Sequence, residues 1–235
     1  MPASSPRRSV VTGANRGLGL EFVRQLLARG DHVIAACRHP GKATELNHLA
    51  GDHPGCLHVL PLDVADEKSR IAFAHELPLV TDGIDVLINN AGVLHSGERW
   101  GHVSAAILED SLRTNAMGAF LLTQALDTQL VDGAIVAAMS SMMSSLSTRT
   151  EFRSPSYCIS KAALNMATVM LARALEARGI RVLALCPGWV QTDMGGESAP
   201  ITATQSVAGL LRVLDRSTQA DSGRFLNWEG ASMAW

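Results

Sequence analysis

Apolar and polar positions along the 235-residue chain follow two alternating periods. Short unbroken apolar runs, with the length and β-branched character of buried strands, are each followed by a longer stretch with helical spacing of its apolar residues. "RSVVTG" at 8–13 reads as a first strand, and "LGLEFVRQLLARG" from Leu18 as a helix ended by Gly30. "HVIAACR" at 32–38 and "LHVLPLDV" at 57–64 are the next strands, with a charged helix near 41–50 between them and the helix "DEKSRIAFAHEL" after them. "DVLINNAG" is a fourth strand, leading into a long helical stretch from about Ser104 to Leu130 that is broken near Gly118. "AIVAAMSS" is a fifth, followed by a helix through Tyr157 and Lys161; "IRVLALCPG" and "GRFLNW" complete the set. Strict strand–helix alternation predicts an α/β fold, a doubly wound parallel sheet of about seven strands with helices on both faces. No segment reads as a linker, and the serine-rich loop at 140–147 is the one biased tract, so residues 1–235 are expected to form a single domain.

Composition narrows the class without naming a chemistry. Apolar content of 47%, 18% charged residues and 20 glycines describe a soluble globular chain. A net charge of −2 gives no electrostatic reason to expect nucleic acid or an anionic membrane as partner. Cys37, Cys56, Cys158 and Cys186 are scattered, without a C-x-x-C pair or histidines at ligand spacing, so they read as reduced thiols and no metal site is expected. "MPASSPRRSVV" lacks the apolar region of a secretory signal, and Ser4 and Ser5 with their neighbouring prolines read as a frayed terminus. No stretch has the roughly 20 apolar residues of a membrane span. A cytoplasmic protein is expected.

The chemistry begins where the first strand ends. Gly13, Gly17 and Gly19 form G-x-x-x-G-x-G between strand and helix. Glycines there let the backbone turn sharply and approach a pyrophosphate, and the N–H groups of the following helix favour its charge. A tight strand-to-helix connection is the plainer alternative, but the position on the first strand points to a Rossmann-type NAD(P)-binding turn. At the end of the second strand an acidic residue would bond an adenosine ribose; here stand Cys37 and Arg38. A guanidinium suits a 2′-phosphate, and Arg16 is a second candidate, so NADP(H) is favoured over NAD(H). The alternative is two solvated surface arginines.

Tyr157, the sole tyrosine, and Lys161 lie four residues apart and share a helix face. A phenol with an ordinary pKa near 10 is a poor acid or base at neutral pH, and a neighbouring ammonium is expected to lower that value. Such a pair suits proton exchange with a carbonyl or alcohol oxygen while hydride moves at carbon. From Ile159 to Leu175 the helix is apolar on nearly all sides, so Lys161 is not simply a solvated charge.

With "TGANRGLG" at 12–19, "NNAG" at 89–92, Asn115 in "TNAMG", "SS" at 140–141, "YCISK" at 157–161 and "PGWVQT" at 187–192, the sequence resembles the short-chain dehydrogenase/reductase family. "PGWVQTDMGG" and the tail "GRFLNWEGASMAW" are similar to its compact carbonyl-reductase-like group, which includes C-factor and sniffer. The resemblance implies Tyr157 as acid/base, Lys161 as the residue that lowers its pKa and binds the nicotinamide ribose, a serine on the substrate oxygen, and Asn115 holding a proton-relay water. It implies a cofactor site of Gly13, Asn15, Arg16, Gly17, Leu18, Gly19 and Arg38, with Asp63 and Val64 bordering the adenine. Asn90, Ala91 and Gly92 would line the cleft with Tyr157 and Lys161, and Pro187, Gly188, Val190 and Thr192 would cover the carboxamide end.

The family's serine usually precedes the tyrosine by about a dozen residues, a count that reaches Ser144, whereas the strand end points to Ser141 or its neighbour Ser140. Ser141 is preferred, because a strand end fixes a position while a loop absorbs extra residues. His95 either faces the substrate or is a polar loop residue. Met142, Met143, Phe152, Trp189 and Met194 either shape an apolar pocket or pack as core or lid. Excess apolar surface around 117–126 and 166–175 predicts a homodimer or homotetramer, the family's common pairing. The expected activity is NADPH-dependent reduction of a small ketone or aldehyde; a cofactor-binding signalling protein and an NAD-dependent alcohol dehydrogenase are the alternatives.

Overall fold

The computed structural model describes residues 6–235, so Ser4 and Ser5 lie outside the described residues. Its strands are β1 (Arg8–Thr12), β2 (His32–Cys37), β3 (Leu57–Pro61), β4 (Ile84–Asn89), β5 (Leu130–Met139), β6 (Arg181–Cys186) and β7 (Phe225–Asn227). Its α-helices are α1 (Gly17–Ala28), α2 (Thr44–Asp52), α3 (Glu67–Glu76), α4 (Ala105–Leu112), α5 (Gly118–Ala125), α6 (Pro155–Ala174) and α7 (Ala203–Arg216). The strands form one sheet in the order β3-β2-β1-β4-β5-β6-β7, and every pairing is parallel. The strand order reverses direction between β1 and β4, the switch point at which such sheets open a cleft beyond their carboxyl ends.

Successive strand residues serve opposite faces, as the pleat requires. Val11, Val33, Ile88 and Leu185 join Phe22 and Leu26 of α1 and Val207 and Leu210 of α7 in one core. Their neighbours Val10, Ile34, Leu87 and Val182 join Phe73 of α3, Leu122 of α5 and Leu171 of α6 in the other. Continuous apolar runs in the sequence are therefore strands buried on both sides.

Three expectations change in detail. The break in the long helical stretch is a π turn over Arg113–Met117, centred on Asn115 and not on Gly118. Gly118 instead permits a close approach between segments, since a Cβ there would stand 2.9 Å from the Val64 carbonyl oxygen. β5 begins at Leu130, where the periodicity predicts a helix end, and four residues before the strand "AIVAAMSS". Helix α7 is absent from the predicted set, although its start carries a capping box in which Gln205 donates its backbone N–H to Thr202 Oγ1 at 3.2 Å and its side chain accepts from the Thr202 N–H at 3.1 Å. The four cysteines are free thiols. Among the described residues no helix is long and apolar enough to cross a membrane.

Candidate active site

Beyond the carboxyl end of β1 the chain turns through two left-handed glycines, Gly13 at φ +62° and Gly17 at φ +54°. The turn is packed too closely for side chains: a Cβ on Gly13 would lie 2.9 Å from Ala91 Cα, and one on Gly19 2.2 Å from the Gly13 carbonyl oxygen and 2.6 Å from Asn90 Nδ2. Thr12, which opens the "TGANRGLG" motif but is not among the expected site residues, ties this turn to the one after β4, since its Oγ1 accepts the N–H groups of Asn90 and Ala91, each at 3.0 Å. Asn90 answers by donating Nδ2 to the Thr12 carbonyl at 2.9 Å. Helix α1 starts at Gly17 with no side-chain cap and no acidic residue in its first turn. Its orphan N–H groups and dipole stand beside exposed Asn15, Arg16 and Gly17 and half-buried Leu18, a cradle that fits a dinucleotide pyrophosphate.

At the adenosine end, Arg38 is exposed directly after β2 and makes no ion pair among the described residues. Arg16 instead pairs with Asp193 at 3.0 Å, both side chains being largely exposed. Asp63 Oδ1 accepts the Ala65 N–H at 3.0 Å, and the carbonyl of buried Val64 accepts from Arg70 at 2.7 Å, so the segment after β3 is firmly held.

Past β4 and β5 the polar groups converge. Lys161 is buried and donates Nζ to the Met139 carbonyl at the end of β5 at 2.6 Å. Asn115, also buried, donates Nδ2 to the Val93 carbonyl and to Ser160 Oγ, each at 2.9 Å, and accepts the Val93 N–H on Oδ1 at 2.7 Å. The amide hydrogens are thus occupied and one acceptor position of Oδ1 remains. Gly92 lets these groups meet: a Cβ there would be 3.2 Å from Asn115 Oδ1 and 3.4 Å from Lys161 Nζ. Lys161 Nζ lies 5.6 Å from the centre of the Tyr157 ring.

The three serines separate. Ser141 is half-buried, its Oγ accepts the Met143 N–H at 3.1 Å, and its hydroxyl stands beside the Tyr157 phenol, whose pKa it pulls down. Ser140 and Ser144 are buried against Asn165, with Ser140 Oγ donating to Asn165 Oδ1 at 2.6 Å and Asn165 Nδ2 donating to Ser144 Oγ at 2.7 Å. Ser160 lies inside "YCISK" but carries no expected role there, and Asn165 has no distinguishing sequence signal beyond being a polar position on an apolar helix.

Burial pushes the Tyr157 phenol up to about 12, with the Ser141 hydrogen bond pulling the other way. The direction is opposite to the downward shift expected from the Tyr157/Lys161 spacing, because the largest effect on the phenol is loss of water. Burial pushes Lys161 down to about 8.

The segment after β6 folds back over the glycine turn. Val190 bridges to Ile201, Gln191 donates its N–H to the Ile201 carbonyl at 2.8 Å, and Trp189 Nε1 donates to the Gly195 carbonyl at 2.7 Å. Gly188 holds φ +84° where a Cβ would strike Ile201, and the Pro187 carbonyl accepts from Ser206 of α7. Thr192 accepts the Gly195 N–H and faces Gly17. Met142, Phe152, Trp189 and Met194 are exposed and Met143 half-buried, so the first four are not core. His95 bonds Asp110 at 2.7 Å.

A parallel sheet with a glycine cradle at its switch point, and a buried tyrosine–lysine pair beyond it, defines a nicotinamide-dependent oxidoreductase of the short-chain class. Residues 7–202 match the short chain dehydrogenase family, and the chain belongs to it. It is 41% identical over 157 residues to C-signal of Myxococcus xanthus, covering 66% of this chain and 95% of that protein. Among solved structures, carbonyl reductase Sniffer of D. melanogaster superimposes with a TM-score of 0.94 at 32% identity, over 98% of this chain and all of that one. The NADPH-bound carbonyl reductase from chicken fatty liver does so with 0.92 at 38% identity, over 98% and 99%.

Proposed function

We propose that this protein reduces the carbonyl of a small, partly apolar ketone or aldehyde to an alcohol with NADPH. The observation that carries this reading is the convergence of Tyr157, Ser141, Lys161 and Asn115 beside a cradle suited to a dinucleotide. NADPH in the chicken carbonyl reductase and the exposed guanidinium of Arg38 after β2 support the phosphorylated cofactor. Gly13, Asn15, Gly17, Leu18 and Gly19 would hold the pyrophosphate, Asp63 and Val64 the adenine, and Asn90–Gly92 with Pro187, Gly188, Val190 and Thr192 the nicotinamide end. When bound, the nicotinamide supplies the hydride that reaches the carbonyl carbon.

The chain handles the proton. At neutral pH the phenol is protonated, because burial holds its pKa at about 12. Tyr157 therefore offers Oη–H to the carbonyl oxygen as negative charge develops there, and Ser141 hydrogen-bonds the same oxygen. The O–H bond of the phenol breaks as that of the alcohol forms, leaving a phenolate beside the Lys161 ammonium, which stabilises it. Gly92 and the Asn115 bonds to Val93 keep the loop after β4 from displacing Lys161. Exposed Met142, Phe152, Trp189 and Met194 lie on the segments that would border the substrate, which favours apolar substrates.

Fluorescence titration with NADPH and NADH, followed by a carbonyl panel read by NADPH absorbance, tests the proposal. NADPH is expected to bind at least tenfold more tightly than NADH, and apolar ketones or aldehydes to be turned over. Preference for NADH would overturn the role of Arg38, and tight NADPH binding without turnover of any carbonyl would overturn the reductase.

A further inference from the structure

Helix α6 begins without a cap of its own. Ser154, its N-cap residue, holds φ +46°, the one positive φ outside glycine among the described residues, and its side chain makes no capping bond. Pro155 has no N–H to satisfy, and the first turn holds no acidic side chain. The acceptor arrives from far along the chain. Glu98, in the segment after β4, accepts the Ser156 N–H on Oε2 at 3.3 Å and the Ser156 hydroxyl on Oε1. Ser156 is fully buried and is the residue next to Tyr157. The same two segments meet again where Trp100 packs edge-on against Phe152, with ring centres 5.6 Å apart and planes at 88°.

We propose that Glu98 is a positioning residue for the carbonyl reduction: it caps the helix that carries Tyr157 and ties the 93–104 segment, with Trp100, to the substrate side of the cleft. A first-turn residue moves with any fraying of its helix start, and a displacement of about 1 Å costs on the order of 100-fold in rate. Carboxylates are also favoured at a helix N-terminus by the dipole. One side chain thus sets both the placement of the phenol and the wall opposite it. The inference rests on the reductase reading for its kinetic consequence, while its geometric content can be read without turnover.

Because Tyr157 is the sole tyrosine, protein labelled with tyrosine carrying ¹³C at Cζ alone shows a single ring resonance at neutral pH. Glu98→Ala is expected to shift and broaden that resonance, to speed amide exchange across 154–160, and to lower kcat about 10- to 100-fold with NADPH affinity unchanged within about twofold. Glu98→Gln, whose amide oxygen can still accept the Ser156 N–H, is expected to restore all three. Should Glu98→Ala not fold, Ser156→Ala, which removes only the hydroxyl contact, decides by the same readouts with smaller changes. An unaltered tyrosine resonance and kcat in the alanine variant, whatever happens to its melting temperature, would overturn the proposal by leaving Glu98 a cap and nothing more. If wild-type protein reduces no carbonyl, the reductase reading fails by itself, and the resonance and exchange measurements still decide whether Glu98 positions Tyr157.

Discussion

Two serines three residues apart divide the work of their loop. Ser141 stands half-buried beside the phenol, whereas Ser144 is buried and bonded to Asn165. Ser141→Ala is therefore expected to cut kcat by about 10²- to 10⁴-fold with little change in melting temperature, and Ser144→Ala to cost about 1–3 kcal/mol of stability with a much smaller effect on rate. Equal kinetic losses, measured side by side, would reject the division. Lys161 is where function opposes stability. Its ammonium falls from an ordinary 10.5 to about 8 through burial, a difference of order 3 kcal/mol. A depressed value in the folded state means that the folded protein bears a cost below pH 8, which disappears as pH rises through 8 toward 10.5. Lys161→Met should accordingly melt higher than wild type at pH 7, with the gap narrowing above pH 8, while losing turnover. Denaturation at pH 6, 7 and 9 checks this, and a variant less stable at pH 6 would contradict it. The pair itself was legible from its spacing. The upward shift of Tyr157 was not, because one-dimensional spacing records which charges are near and does not record the water that burial removes.

At the scale of elements, the glycine turn and the strands were visible because their signals are local: bare Cα atoms, and apolar runs of strand length. Gly19→Ala tests the turn. Its Cβ would fall on the Gly13 backbone carbonyl, which cannot step aside, and on the Asn90 side-chain amide, which is held by its bond to the Thr12 carbonyl. The substitution should destabilise the fold by about 3 kcal/mol or more and abolish NADPH binding by fluorescence, and wild-type affinity would contradict the packing. The π turn at Asn115 was not legible, since it is fixed by bonds to Val93 and Ser160, which are distant in sequence. Helix α7 was legible and missed: Thr202 and Gln205 announce its start, and Val207, Leu210, Leu211 and Leu214 fall at helical spacing.

For the whole molecule, the helical faces that looked too apolar are exposed. Met117 is 50%, Ile159 49%, Met166 63% and Met170 57% accessible, which is more than a lone subunit gains from leaving open. A homodimer or homotetramer is expected; light scattering at micromolar concentration should give a multiple of 25.0 kDa, and Met166→Lys with Met170→Lys should lower it. A monomeric mass for the wild type would end that expectation. The sheet order has a further consequence. Arg38 stands on the β2 side of the β1–β4 junction, whereas Ser141, Tyr157 and Lys161 stand on the β5 side, and the Thr12 bonds to Asn90 and Ala91 tie the junction together. Under the proposed function, the choice of electron donor and the handling of the proton are thereby written in separate parts of the chain. Either can be revised by substitution without redrafting the other, so long as one threonine hydroxyl holds the seam.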